Sequence, residues 1–354
     1  MIPLPKLAEA LGLCALGALG GLMAQALNLP LPFMLGAICI AAPYAVARFA
    51  YNEHVPYFPK PIRTLFVGVI GALIGSTVTP DLLALFPALW PSLLAVVLFV
   101  VVAHGIGYLV MRRIGGYSRG LAILGGMPGG LIEAISLAES AGLDAKLITV
   151  QHFARIIVVV LTVPFLFLIW SGDVVGSAAG ATPSTGAYGL MDVVLLMGFS
   201  LLGSRLGGFL KLPARHLTGP LILSALFHAT GLIDTQTPVW LLALAQLMVG
   251  VGLGCQFAGA ALGVLFKAIG LSVINVVFIL TLALGFSWGL VQLTPLSAEA
   301  LFISFAPGGV TEMGLIALSL QIAPAIIAAH HLLRIFLTVF LVSWLLKRID
   351  LNSP

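Results

Sequence analysis

The stretch GGMPGGLIEA, residues 125–134, places four glycines and a proline inside an otherwise apolar part of the chain. Glu133 follows Gly130 by three residues, so a carboxylate stands directly after these helix-breaking residues. Proline cannot donate a backbone hydrogen bond and glycine adopts turn conformations, so a continuous helix is not expected here. At membrane depth such a break is tolerated only where protein or a wet cavity satisfies its polar groups. The stretch therefore predicts two half-helices that meet beside an interior site.

The composition predicts that the rest of the chain is built of membrane helices. The chain has 354 residues, of which 60% are hydrophobic and 8% charged, and its mean hydropathy is +1.17. Soluble domains carry about 25% charged residues, and the strands of a membrane β-barrel would alternate apolar and polar residues. The sequence therefore predicts an all-α polytopic membrane protein. We expect no cofactor. We also expect no metal site, because the spacing of Cys14, Cys39 and Cys255 does not suit zinc, and no nucleic-acid partner, because the net charge of +4 is small and scattered.

Apolar runs of about 20 residues, enough to cross a bilayer, recur along the chain. Two further segments, 117–143 and 297–321, contain Gly/Pro breaks and are predicted as broken elements. The predicted spans are 8–27, 31–49, 63–80, 91–111, 146–170, 189–210, 217–233, 239–257, 270–292 and 323–346.

The two halves of the chain repeat each other. PGGLIE (128–133) returns as PGGVTE (307–312) after 179 residues (307 − 128). Identities at fixed spacing that include charged residues and glycines indicate an internal duplication. At the same shift of 179, the equivalent pairs are His152 with His331, Arg155 with Arg334, Gly71 with Gly250 and Gly75 with Gly254; residues 28–36 match 211–219 at a shift of 183.

The duplication predicts a first repeat over 1–170, a linker over 171–188 and a second repeat over 189–354. Lys and Arg accumulate on the cytoplasmic side of membranes. Every cluster of Lys and Arg lies on the cytoplasmic side if each half crosses the membrane five times and its broken segment enters the membrane and returns to the same side. This predicts two inverted-topology repeats, each with about five transmembrane helices and one re-entrant segment, and both termini cytoplasmic. A broken segment that spans fully but is unwound at its centre stays open as an alternative.

The charged residues predict a solute site at the two breaks. Arg155 lies well inside the span 146–170, where an arginine costs at least ~2.5–3.5 kcal/mol, so it should face the protein interior and have a partner. Glu133 is its expected partner, and Glu312 that of Arg334. The histidines stand three residues before the arginines, on the same helix face. The predicted solute-binding residues are Gly129, Gly130, Glu133, His152, Arg155, Gly308, Gly309, Thr311, Glu312, His331 and Arg334.

Other interpretations of these residues remain. The Glu–Arg pairs could be purely structural ion pairs that pin each broken segment to the next helix. The breaks favour function, because inverted repeats with interrupted helices mark solute sites near the bilayer midplane and helix N-termini attract anions. The two G-x-x-x-G motifs, GALIG (71–75) and GVGLG (250–254), are interpreted as close helix packing. His330 and His104 have no histidine at the equivalent repeat position and are interpreted as structural.

The twin motif resembles a known family. GGMPGGLIEA with QHFAR (151–155), and APGGVTEMG (306–314) with HHLLR (330–334), resemble the AbrB duplication family of bacterial inner-membrane proteins over nearly the whole chain. The second repeat departs from the first at 323–325, where Ala-Pro-Ala stands in place of Asp-Ala-Lys. The family is often labelled a regulator of gene expression or an ammonia monooxygenase. Its architecture resembles broken-helix secondary transporters, such as bile-acid symporters and sodium/proton antiporters, which is an analogy of fold alone.

These features predict a secondary transporter of a small anionic or carboxylate-bearing solute, coupled to H⁺ or Na⁺. We expect no enzymatic activity. A membrane sensor that affects gene expression indirectly is the alternative, although the tail KRIDLNSP (347–354) offers no signalling domain. The expected partners are the solute, the coupling ion and membrane lipid, and a homo-oligomer is left open. The resemblance implies a multi-pass protein of the bacterial inner membrane.

Overall fold

The computed structural model describes residues 4–171 and 188–348, so nearly all of the predicted linker 171–188 lies outside the described residues. These two ranges are helical and contain no strand, which confirms the predicted all-α class. The helices are α1 (Leu4–Ala26), α2 (Pro32–Asn52), α3 (Lys60–Gly75), α4 (Pro80–Leu85), α5 (Trp90–Leu109), α6 (Arg119–Gly125), α7 (Leu131–Ser140), α8 (Ala145–Ser171), α9 (Leu190–Phe209), α10 (Arg215–Ala229), α11 (Val239–Gly254), α12 (Leu262–Leu290), α13 (Ala298–Phe305), α14 (Val310–Leu320) and α15 (Pro324–Leu346).

Eight helical segments of the described chain are long and apolar enough to cross a membrane, so the protein is a multi-pass membrane protein. Two of the predicted spans, 63–80 and 217–233, are shorter than expected. They correspond to α3 and α10, which have 16 and 15 residues. Helix α3 ends early because the Ser76 and Thr77 hydroxyls bond back to carbonyls of its last turn. After α10, Gly231 takes a left-handed φ of 70°.

The chain forms two compact units, and each contains parts of both predicted repeats. The boundaries of the two units therefore differ from the predicted boundary between the repeats. The orientation of the repeats in the membrane stays a prediction. Unit 1 comprises Met1–Leu83, Leu161–Ala260 and Gly314–Ala325, and unit 2 comprises Ala84–Val160, Ala261–Met313 and Ile326–Pro354.

Unit 1 is held together by glycines that bring helix backbones into contact. A β-carbon at Gly71 of α3 would overlap the carbonyl oxygen of Leu217 in α10, and one at Gly250 of α11 would lie 2.7 Å from the carbonyl oxygen of Met34 in α2. The predicted close packing of GALIG and GVGLG is confirmed. Met34 and Leu217 are equivalent at the shift of 183 (217 − 34). Each glycine motif thus packs on a helix of the other half.

The turns of unit 1 also recur at the shift of 183. Asn28 and Lys211 have φ values of 50° and 53°, and Leu31 and Ala214 have φ values of 45° and 47°. Left-handed φ at a residue other than glycine costs about 1–3 kcal/mol, so the same costly turn is retained in both halves. Equivalent positions therefore take equivalent local geometry.

Unit 2 contains the breaks of both segments, with α6, α7, α13 and the first turn of α14, and α5 and α12 pack against them. Gly107 of α5 lets the backbone of Gly126 approach closely. At the equivalent place, the rings of Phe286 in α12 and Phe305 in α13 lie 5.4 Å apart. Phe99 of α5 contacts both of these rings. The breaks are thereby fixed among long apolar helices.

Candidate functional site

Both predicted breaks are present. Helix α6 ends at Gly125 and α7 begins at Leu131, while α13 ends at Phe305 and α14 begins at Val310. Residues 126–130 between α6 and α7 are all buried. The half-helix ends expose backbone carbonyls and N–H groups that no helix bond satisfies. Each break is therefore a buried set of polar groups in need of partners.

The glycines of the two breaks serve different needs. Gly130 is the residue before α7 and has φ 75° and ψ 57°, a conformation that favours glycine. Gly129, Gly308 and Gly309 are not among the described glycines with positive φ. At Gly309 a β-carbon would overlap the carboxylate of Glu312, so that side chain would have to move aside. In the first break a β-carbon at Gly130 would likewise meet the Glu133 carboxylate, at 3.3 Å.

In the first half, α8 supplies the partners of the broken backbone. Nε2 of His152 donates to the carbonyl oxygen of Leu124 at 3.0 Å. Nη1 of Arg155 donates to the carbonyl oxygen of Met127. Both carbonyls belong to the end of α6 and the residues just after it, where helix bonds are missing. The predicted histidine and arginine are therefore brought to the break.

In the second half, α15 does the same at equivalent positions. Nε2 of His331 donates to the carbonyl oxygen of Ile303 at 2.9 Å, and Nη1 of Arg334 donates to that of Ala306. The sequence separation within each of these four pairs is 28 residues. The H-x-x-R motif thus has the same structural task in both halves.

The second half has two further bonds. Nη2 of Arg334 donates to the carbonyl oxygen of Gly308 at 2.6 Å and to Nδ1 of His331 at 2.7 Å. Arginine can only donate, so Nδ1 of His331 accepts and its ring proton is on Nε2. In the first half, Nδ1 of His152 is buried and has no hydrogen-bond partner in the described chain. The two H-x-x-R motifs therefore differ in the hydrogen bonding of the histidine Nδ1 atom.

The charges also differ between the halves. The side chains of Arg155, Arg334 and Glu312 are buried, with 4%, 1% and 5% exposure, whereas Glu133 is only partly buried. Glu312 attracts Arg155 electrostatically, and Arg155 repels Arg334. The predicted pairing of Glu133 with Arg155 is wrong, because the carboxylate that acts on Arg155 comes from the other half.

The two half-sites form one cluster inside unit 2. Besides the attraction between Glu312 and Arg155, a β-carbon at Gly129 would lie 3.6 Å from Nε of Arg334. This Nε and that of Arg155 are buried without a hydrogen-bond partner among the described residues. Guanidinium donors and a histidine nitrogen thus remain available beside two helix N-termini. Such a cluster can bind an anion or a polar carbonyl group.

The comparison with known proteins identifies the family. A family model described as "Transition state regulatory protein AbrB" matches residues 33–350. The chain belongs to the AbrB family. It is 22% identical over 326 residues to the protein named "Putative regulator AbrB" of Escherichia coli (strain K12), covering 92% of this chain and 91% of that protein. It is 26% identical over 346 residues to "Uncharacterized protein YhjN" of Bacillus subtilis (strain 168), covering 92% and 89%.

Sequence reasoning missed one pair of residues in this AbrB-family chain. His330 stands at the repeat position of Gln151 (330 − 151 = 179). Nε2 of Gln151 donates to Oγ of Ser272 in α12 at 2.9 Å. Nε2 of His330 lies 2.9 Å from Oγ of Ser92 in α5. Each half thus reaches a serine of the other half. The repeat shift of 179 residues makes Gln151 and His330 equivalent, so it could have predicted equivalent contacts, although the two side chains are chemically different.

One predicted residue of the AbrB-family site has less support. Thr311 is only partly buried on the first turn of α14. No group of three His, Cys, Asp or Glu side chains that could hold a metal ion occurs in the part of the chain that the structure describes.

Proposed function

We propose that the protein is a secondary transporter of a small anionic solute, and that the solute binds in the cluster formed by the two breaks. The observation that carries this proposal is the pair of buried arginines, Arg155 and Arg334, which are accompanied among the described residues by one buried carboxylate, that of Glu312. The formal charge of this buried set is +1. A buried uncompensated charge is costly, so an anion that enters the cluster is stabilised there.

The coupling ion in this proposal is H⁺ or Na⁺. Glu133 lies in the first turn of α7 and is only partly buried, so its carboxylate is the group proposed to take the coupling cation. A transporter of this kind moves a broken-helix unit against the rest of the protein. The proposal places the protein in the bacterial inner membrane with inverted repeats and both termini cytoplasmic.

Uptake into liposomes tests the proposed transport. Purified protein should accumulate radiolabelled small carboxylates, with acetate, lactate, pyruvate and succinate as the panel, under an imposed pH or Na⁺ gradient. Arg155→Lys should lower this uptake by about tenfold or more, because lysine does not reproduce the planar guanidinium fork. The control is Arg205→Lys on the exposed surface of α9, which should keep full uptake. Absence of gradient-driven uptake across the panel would contradict the proposal.

The inverted topology predicts opposite sides for two equivalent exposed residues. Glu53 lies after α2 and Leu232 after α10, 179 residues apart (232 − 53). In a background without cysteine, Glu53→Cys should be protected and Leu232→Cys labelled when an impermeant thiol reagent is added to intact cells. Reagent added to opened membranes should label both positions. Labelling of both positions, or of neither, in intact cells would refute inversion.

A sensor is the second candidate, because both the family description and the name of one relative refer to regulation. A sensor would bind its solute without moving it across the liposome membrane. Binding in detergent together with the absence of gradient-driven uptake would favour this function over transport.

A further inference from the structure

The two halves of the site are unequal in a way that suggests what the solute carries. We propose that His152 and Arg155 bind a small 2-hydroxy monocarboxylate, with the carboxylate on Arg155 and the hydroxyl on Nδ1 of His152. This inference rests on the proposed function and deepens it by naming the solute class and the half of the site that takes it.

In the second half, groups of the protein itself bond to the arginine and the histidine of the H-x-x-R motif. There, Nη2 of Arg334 is 2.7 Å from Nδ1 of His331 and also bonds to the carbonyl oxygen of Gly308. The guanidinium and imidazole are joined directly. Arg334 is 1% exposed and His331 is fully buried. This half has no room for a solute between its arginine and its histidine.

The first half lacks that direct bond. His152 is 1% exposed, yet its Nδ1 has no hydrogen-bond partner in the described chain. Arg155, three residues later, lies on the same helix face and keeps its Nε without a hydrogen-bond partner. A buried polar atom without a partner is rare and costs free energy. The first half therefore keeps one acceptor, Nδ1 of His152, and one donor, Nε of Arg155, to which a ligand could bond.

The chemistry of the two open groups specifies complementary groups on the ligand. Nε2 of His152 carries the ring proton, because it donates to the carbonyl oxygen of Leu124. A second positive charge beside the buried Arg155 is unfavourable, so Nδ1 offers a lone pair and needs a donor. Nε of Arg155 is a charged donor without an acceptor, and a carboxylate oxygen accepts such an N–H. A hydroxyl on the carbon next to a carboxylate supplies both groups from one small molecule.

The charge of the cluster limits the solute to one negative charge. The two buried arginines and Glu312 sum to a formal charge of +1. A monocarboxylate neutralises this charge, whereas a dicarboxylate would leave a buried negative charge without a partner.

Binding of matched ligands tests the inference. Isothermal titration of the purified full-length protein in detergent would compare lactate with propionate, which differ only by the hydroxyl. Wild type should bind lactate about tenfold more tightly, the worth of one good hydrogen bond to a buried acceptor. His152→Ala should lower lactate affinity to that of propionate and leave propionate affinity unchanged. His54→Ala, on the exposed surface after α2, is the control and should preserve the preference for lactate.

A second variant keeps the test decisive if His152→Ala does not fold. His152→Gln can still donate to Leu124 through its amide nitrogen and accept from the ligand through its amide oxygen, so it should retain part of the preference. Equal binding of lactate and propionate by wild type, or no binding of either at millimolar concentration, would overturn the inference. The same holds if the preference survives in His152→Ala or is lost in His54→Ala.

The inference and the proposed transport can fail separately. Gradient-driven carboxylate uptake without preference for the hydroxyl leaves transport standing and removes the inference. A His152-dependent preference for lactate in detergent without uptake in liposomes leaves the inference standing and removes transport.

Discussion

Replacing Glu312 by glutamine should lower the free energy of unfolding by about 3–5 kcal/mol, the cost of removing one partner from a buried charge pair. Glu312 is 5% exposed, and its charge acts on Arg155. Arg155 and Arg334 already repel each other. Without the carboxylate, two buried cations would remain together in a medium of low dielectric. The loss is measured as a shift in the unfolding midpoint of the purified protein in detergent.

Glu133→Gln is the matched control. It makes the same substitution at the repeat-equivalent position (312 − 133 = 179), but Glu133 is partly exposed and solvent screens its charge. Its cost should stay below about 1 kcal/mol. In the Glu312→Gln background, a further Arg155→Met should recover much of the lost stability, because it removes one stranded cation. Equal losses at the two glutamates, or no recovery in the double variant, would contradict this account of the charges.

Gly203→Ala should strongly destabilise unit 1, although it adds only one methyl group. Gly203 of α9 lies against the backbone of α10, and a β-carbon there would overlap the backbone of Gly219 and Pro220. The repeat-equivalent contact of Gly20 with Gly36 is equally close. Because backbone atoms cannot move aside as a flexible side chain can, the two helices must separate. Overpacking of this kind costs about 1–3 kcal/mol, occasionally more.

Gly198→Ala on the same helix serves as the control for Gly203→Ala. A β-carbon at Gly198 meets nothing within 4 Å, and alanine is favoured over glycine in a helix by roughly 0.5–1 kcal/mol. Gly198→Ala should therefore leave the melting temperature in detergent unchanged or raise it, while Gly203→Ala lowers it by several degrees. If both variants melt together, the close contact of α9 with α10 is not what stabilises unit 1.

The sequence by itself determined the features that depend on neighbouring residues. The breaks after Gly125 and Phe305 were predictable because glycine and proline act on their own turn of helix. The long apolar helices followed from the length of each apolar run. The close packing at Gly71 and Gly250 followed from small residues spaced by one helical turn. The recurrence of PGG-x-x-E and H-x-x-R also pointed to His152, Arg155, His331 and Arg334 as interior groups.

Only the tertiary structure decided how these groups are combined. The two motifs are nearly identical in sequence, so nothing local distinguishes the buried Glu312 from the partly exposed Glu133. Which carboxylate acts on Arg155, and which histidine nitrogen is left without a partner, depends on how the halves pack together inside unit 2. Desolvation and charge pairing act between residues that are distant in the chain, so burial assigns different roles to positions that the repeat makes equivalent.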